Sequence, residues 1–119
     1  MPIRDIPKQT FTLDEAGTSY SEIIDMVDKA VDEIEATINV ISTAGTDLTI
    51  NITPQYSYDQ VKWFDAPSAS RFTEIDEDTA DDYAETLEFS VGIYFRFKIV
   101  VAGTDIDAVI DLYSCGKSK

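Results

Sequence analysis

The chain has 119 residues, with 23 acidic side chains against 9 basic ones, no histidine and a formal net charge of −14. That length suits one domain with one modest core, and the 44% hydrophobic content is that of a globular chain rather than a disordered one. The charge argues against nucleic acid and anionic membrane as partners, since both call for clustered lysine and arginine, and no apolar stretch approaches a membrane span.

Aspartate outnumbers glutamate, 15 to 8, and there are six lysines. Adaptation to high salt and a plain soluble acidic surface both account for this. Cys115 stands alone, so it forms no internal disulfide. Without histidine it also lacks the base that would make it a catalytic thiol.

The opening MPIRDIPKQTF carries charge with no apolar run behind it, so it does not read as a secretory signal. Residues 1–17 are expected to form an N-terminal arm, separate from a sandwich domain spanning 18–119. Arg4, Lys8, Phe11 and Leu13 are the arm's candidate contacts to a neighbouring subunit, and a frayed terminus is the alternative.

The stretch TSYSEIIDMVDKAVDEIEA carries two signals. Ser19 with Glu22 fits a helical capping box, and Ile23, Val27, Ala30, Val31 and Ile34 fall on one helical face. Yet Ile34 already belongs to the alternation that follows. A strand is expected here, with a helix over residues 19–33 as the alternative.

From Ile34 onward the period is two. Ile34, Ala36, Ile38 and Val40 share one face. After the TAGTD turn, Leu48, Ile50 and Ile52 repeat the pattern. Residues 34–54 therefore predict a β-hairpin with one buried face. A polar turn over Ser57 to Gln60 precedes VKWFD, a short strand, and RFTEI is another candidate. The acidic run from Glu74 to Asp82 fails the EF-hand spacing, because position five is Ala80 and the closing glutamate position is Leu87. It reads as a solvated loop. LEFSV resumes alternation. In IYFRFKIVVAG, Phe95, Phe97, Ile99 and Val101 form one face and Tyr94, Arg96, Lys98 and Val100 the other. AGTD recurs at 102–105 and reads as a second hairpin turn. The closing IDAVIDLYSC points Ile106, Ala108, Ile110 and Leu112 inward.

Strands this short, spaced by Gly and Pro turns, predict an all-β fold. The expected form is a two-layer antiparallel β-sandwich, jelly-roll or immunoglobulin-like, of about 7–8 strands. Trp63, the one tryptophan, is expected to fill the gap between the two sheets. Two aromatic groupings offer partner or glycan contacts instead: Tyr56, Tyr58 and Trp63 with Phe64, and Tyr94 with Arg96 and Lys98. No nucleophile–base pair, zinc ligand set or glycine-rich phosphate loop is visible. No enzymatic activity, cofactor or metal is expected.

The sequence also resembles small β-sandwich proteins of the virions of tailed phages and archaeal tailed viruses, over roughly residues 20–116. The resemblance rests on an order of phrases: AGTD, S-x-D-x-x-x-W, the Y-F-R-F-K strand, AGTD again and a closing I-D-A-V-I-D-L-Y strand. The family commonly has S-x-D-G-x-x-W. Here Ser57-Tyr58-Asp59-Gln60 places glutamine at the glycine position, which leaves the turn type open. The resemblance implies a virion structural protein, foremost a capsid decoration protein. Such a protein would be made in the host cytoplasm and carried on the particle surface as a homo-oligomer among capsid or tail subunits. It also implies two alternatives: a carbohydrate- or receptor-binding sandwich at a tail or fibre, and a ring-forming tail-tube or tail-completion protein.

Overall fold

The computed structural model describes residues 3–25, 33–66, 71–79, 83–90 and 94–117. Ten strands occur among them: β1 (Ile3–Leu13), β2 (Gly17–Tyr20), β3 (Ile24–Asp25), β4 (Glu33–Ser42), β5 (Thr46–Ser57), β6 (Phe64–Asp65), β7 (Ile75–Asp76), β8 (Tyr83–Ser90), β9 (Tyr94–Thr104) and β10 (Ala108–Lys117). No helix occurs among the described residues.

One sheet runs β1-β10-β4-β8 and the other β2-β9-β5-β6, all pairs antiparallel. The two short extra strands interrupt edges rather than add to the width. Both β2 and β3 pair with β9, with Tyr20 opposite Lys98 and Ile24 opposite Phe95. Both β6 and β7 pair with β5, at Gln55–Tyr56 and at Thr49–Ile50. Counting each interrupted edge once leaves four strands per sheet. The chain crosses from one sheet to the other at β1–β2, β3–β4, β4–β5, β7–β8, β8–β9 and β9–β10. This is the order of a jelly roll.

The alternation seen in the sequence is the burial pattern of the sandwich. Ile34, Ala36, Ile38, Val40, Leu48, Ile50, Phe95, Phe97, Ile99, Ala108, Ile110 and Leu112 are buried between the sheets. Phe72 and Ile75 join them from the β6–β8 segment. Each large apolar side chain closed off in this way contributes about 1.5–3 kcal/mol. Phe95 and Phe97 meet edge to face with centroids 5.7 Å apart, the geometry aromatic quadrupoles favour.

Four expectations are corrected. Residues 34–54 do not form a hairpin: β4 pairs with β10 and β8, and β5 pairs with β9. The two strands lie in opposite sheets, so their apolar faces meet across the core rather than side by side. AGTD at 44–47 and at 102–105 is therefore an arch between sheets each time. The two arches abut, with Thr46 opposite Thr104 and the Asp107 N–H donating to the Ala44 carbonyl at 2.9 Å. In both, the glycine takes positive φ (155° at Gly45, 124° at Gly103) and the aspartate sits in the left-handed region (54° at Asp47, 53° at Asp105). Aspartate tolerates that region better than most residues.

Residues 3–13, expected to belong to a separate arm over 1–17, are instead the edge strand β1, paired with β10 from Ile3–Lys117 to Leu13–Ala108. Leu13 is buried and Phe11 packs on the core, so the boundary at residue 18 disappears. The segment 19–25 is extended, as the strand expectation had it, and the helical alternative fails there because β9 supplies the hydrogen-bond partners. Residues 26–32 lie outside the described residues. The solvated loop expected at 74–82 contains β7, with Ile75 buried.

Candidate functional site

Trp63 is not the filler between the sheets. It precedes β6 and lies half-buried on the outer face of the β2-β9-β5-β6 sheet, where the Arg96 guanidinium stacks 4.1 Å from its ring. On β9, Phe95 and Phe97 point inward, so Arg96 between them must point out. The same guanidinium carbon lies 3.9 Å from the centroid of the Tyr20 ring. The guanidinium thus lies against two aromatic rings, an arrangement that favours a cation both by quadrupole attraction and by partial desolvation. Its edge is fixed as well. Arg96 Nε donates to Gln55 Oε1 at 2.9 Å, and Gln55 Nε2 donates to Asp65 Oδ1 at 2.7 Å. Among the described residues the guanidinium makes no ion pair. Lys98, two residues along the same face, makes no hydrogen bond or ion pair among them either. Tyr94 shares the outer face at the register of Ser57 and Asp25.

The loop that delivers Trp63 is built by Ser57 and Asp59. The fully buried Ser57 hydroxyl accepts from the Gln60 N–H at 2.9 Å and donates to the Lys62 carbonyl at 2.6 Å. Asp59 Oδ1 accepts from the Val61 and Lys62 N–H groups, both at 2.9 Å. Gln60 takes φ of 62°, which settles the turn left open by the sequence: the position is left-handed, where glycine also fits. These bonds explain the spacing from Ser57 to Trp63.

The Lys62 and then the Val61 N–H hold the Asp59 carboxyl below its ordinary range. A depressed carboxylate gives its contribution above the unfolded-state value and loses it as pH falls through the lowered native value. The loop should therefore stay closed at mildly acidic pH and open only under strong acid. A carboxyl-carbon NMR titration checks this. Asp59 should titrate below the ordinary aspartate range, together with shifts of the Val61 and Lys62 amides; a midpoint within that range contradicts the loop geometry.

The sequence grouped Tyr56, Tyr58 and Trp63, and the fold separates them. Tyr56 lies opposite Phe95 and Phe64, on the inward face at the end of the sandwich. It stacks on Phe64 with centroids 5.5 Å apart and meets Tyr58 edge to face at 6.1 Å. Lys62 Nζ lies 5.4 Å from the Phe64 centroid. Tyr58 is 61% exposed and Val61 at the loop tip 84%. Tyr20 and Gln55, which complete the Arg96 clamp, carried no signal of their own in the sequence. The alternation of β9 showed which way Arg96 points, but only the β2–β9 register brings Tyr20 to it.

The candidate contacts of the N-terminal segment are spread along β1. Lys8 Nζ lies 3.7 Å from Asp111 Oδ2 and 5.9 Å from the Tyr113 centroid. Thr10 donates to the same aspartate at 2.6 Å. Arg4 lies opposite Gly116 in the register, and Phe11 and Leu13 serve the core. No group of three or more metal-ligating side chains occurs among the described residues.

No protein-family model matches the chain, and no curated protein matches it. Among solved structures, it is similar to a chain of the structure of infectious bursal disease virus, Gx strain, at 12% identity and a TM-score of 0.38. The similarity covers 93% of this chain and 32% of that one, so this chain spans about a third of the length of its structural neighbour. Similarity at that level concerns the β-sandwich scaffold and bears on no function.

Proposed function

We propose that this chain is a non-enzymatic structural subunit of a virion, and that it decorates the capsid of a tailed virus. The observation that carries the reading is a jelly roll whose outer sheet face displays Tyr20, Trp63 and Arg96 in one ordered cluster. Jelly rolls serve as capsid and lectin domains, and tryptophan, tyrosine and arginine are the residue types on which protein interfaces concentrate their energy. The likeness of the AGTD and S-x-D-x-x-x-W phrases to tailed-virus sandwich proteins supports the same reading. In it the subunit works by area and charge: it lies on the particle surface, contacts other copies and the capsid, and takes no cofactor.

Quantitative mass spectrometry of purified particles tests this. The expected result is a copy number matching the capsid lattice, and particles lacking the chain should lose resistance to heat or low salt. Absence from the particle removes the reading.

A second reading has its own observation. Tyr58, exposed beside Tyr56 and Phe64, forms an aromatic ledge that suits stacking on a sugar ring. A tail or fibre protein that binds glycan there should lose binding on Tyr58→Ala with its fold unchanged. A low copy number per particle favours this reading over decoration.

A further inference from the structure

We infer that the outer face around Arg96 and Lys98 docks a carboxylate-bearing segment of a second copy of this chain. The inference rests on the reading of the chain as an assembly subunit.

Charge is the first argument. In a chain with 23 acidic and 9 basic side chains, a second copy offers a cationic face mostly carboxylates. Arg96 and Lys98 sit two residues apart on one face, and neither makes an ion pair among the described residues. Preorganisation is the second. Tyr20 and Trp63 lie against the guanidinium and Gln55 accepts from its Nε, which restricts the group before any partner arrives. A guanidinium fork matches a carboxylate bidentately. Fixing it beforehand removes much of the ordering cost of binding.

The chain itself carries a complement. The turn after β7 is held by Asp76, which accepts from the Asp78 N–H at 2.9 Å, while Thr79 Oγ1 accepts from the Asp76 N–H at 3.0 Å. Glu77 and Asp78 stand exposed on this turn, and their carboxylates make no hydrogen bond or ion pair among the described residues. The turn adjoins Thr49 of β5, whereas Arg96 and Lys98 lie opposite Gln55 and Thr53. The two patches are thus apart on one molecule, separated by several residues of strand at about 3.3 Å each. A contact between them runs head to tail from copy to copy, the heterologous kind that builds rings or lattices.

Salt supplies an unusual signature. Two copies of net charge −14 repel over long range, and at about 1 M salt, where the screening length is about 3 Å, that repulsion vanishes while a stacked contact pair is screened less. Self-association should therefore strengthen as salt rises.

Sedimentation velocity of the full chain over a concentration series, in dilute buffer and at about 1 M NaCl, tests the contact. The wild-type chain should associate at high salt and not in dilute buffer. Arg96→Gln and Lys98→Glu should each weaken association about tenfold, a change of about 1.4 kcal/mol. The Lys98 side chain has no hydrogen bond or ion pair to lose among the described residues, so its variant should melt close to wild type. Mixing Lys98→Glu with Glu77→Lys should restore assembly. Zero-length carbodiimide cross-linking of mixed-isotope chains should join Lys98 to Glu77 or Asp78 of the other isotope. A wild-type monomer at both salts, or a Lys98→Glu variant that associates like wild type, overturns the contact. Presence in particles without self-association overturns this inference and keeps the virion reading; self-association with absence from particles does the reverse.

Discussion

Replacing Gly103 with alanine should destabilise the fold by about 2–5 kcal/mol, a large share of what a domain of this size holds. Two effects add. At φ of 124° an alanine is strained, at about 1–3 kcal/mol. A Cβ there would also lie 2.9 Å from the Thr46 carbonyl oxygen, 3.0 Å from the Asp47 oxygen and 3.0 Å from Leu48 Cα. All three atoms are backbone of the neighbouring arch, so no side chain can swing aside. The register there shifts between Thr46 and Thr49, with Asp47 and Leu48 both facing Gly103. Gly45→Ala should cost less, because its nearest contacts are 3.3 Å away. Gly17→Ala should cost least, since its strained φ of 146° opens on empty space. Urea unfolding of the three variants checks the order. A Gly103→Ala chain as stable as wild type would show that the two arches do not abut as described.

This ranking depends on a relation between the arches that the sequence did not display. Period-two alternation tells which side of a strand is buried, and it did so correctly for β4, β5, β9 and β10. It does not tell which sheet the strand joins. Two strands with apolar faces joined by a glycine turn look the same whether they lie side by side or face each other across a core. In this chain the second holds at both AGTD phrases. The N-terminal segment hides its strand for a related reason. Ile3, Ile6, Phe11 and Leu13 break the alternation, because the pairing with β10 slips between Ile6 and Gln9, and a bulged strand loses its period. Tyr20 was hidden by the competing helical signal of residues 19–33, and only its place opposite Lys98 gives it a role.

Size alone is a poor guide to the place of Trp63. A single large aromatic in a small all-β chain invites a place in the core, yet this core is filled by Phe72, Phe95 and Phe97. The hydrogen bonds of Ser57 and Asp59 turn the chain before β6, and Phe64 and Trp63 then fall on opposite faces by alternation. Phe64 goes to Tyr56 and Trp63 to Arg96. That reassignment moves the tryptophan from stability to the candidate docking face.

The two roles separate in one comparison. Phe97 is 1% exposed and touches Phe95 and Phe72, on the strand that lies between β2 and β5. Phe97→Ala removes a full ring and leaves a cavity lined by side chains that cannot close over it, at a cost of about 3–5 kcal/mol. Trp63→Ala removes the larger ring but only the stacking on Arg96 and part of an already wet surface, about 1–2 kcal/mol. Thermal and denaturant melts of the two variants should therefore rank them against side-chain size, with the Phe97 variant at the edge of unfolding and the Trp63 variant folded. The opposite order would return Trp63 to the space between the sheets and remove the clamp from Arg96. With the expected order, the folded Trp63→Ala chain becomes the reagent of choice. It keeps the jelly roll and loosens Arg96, so any loss of assembly it shows is a loss at the face and not in the core.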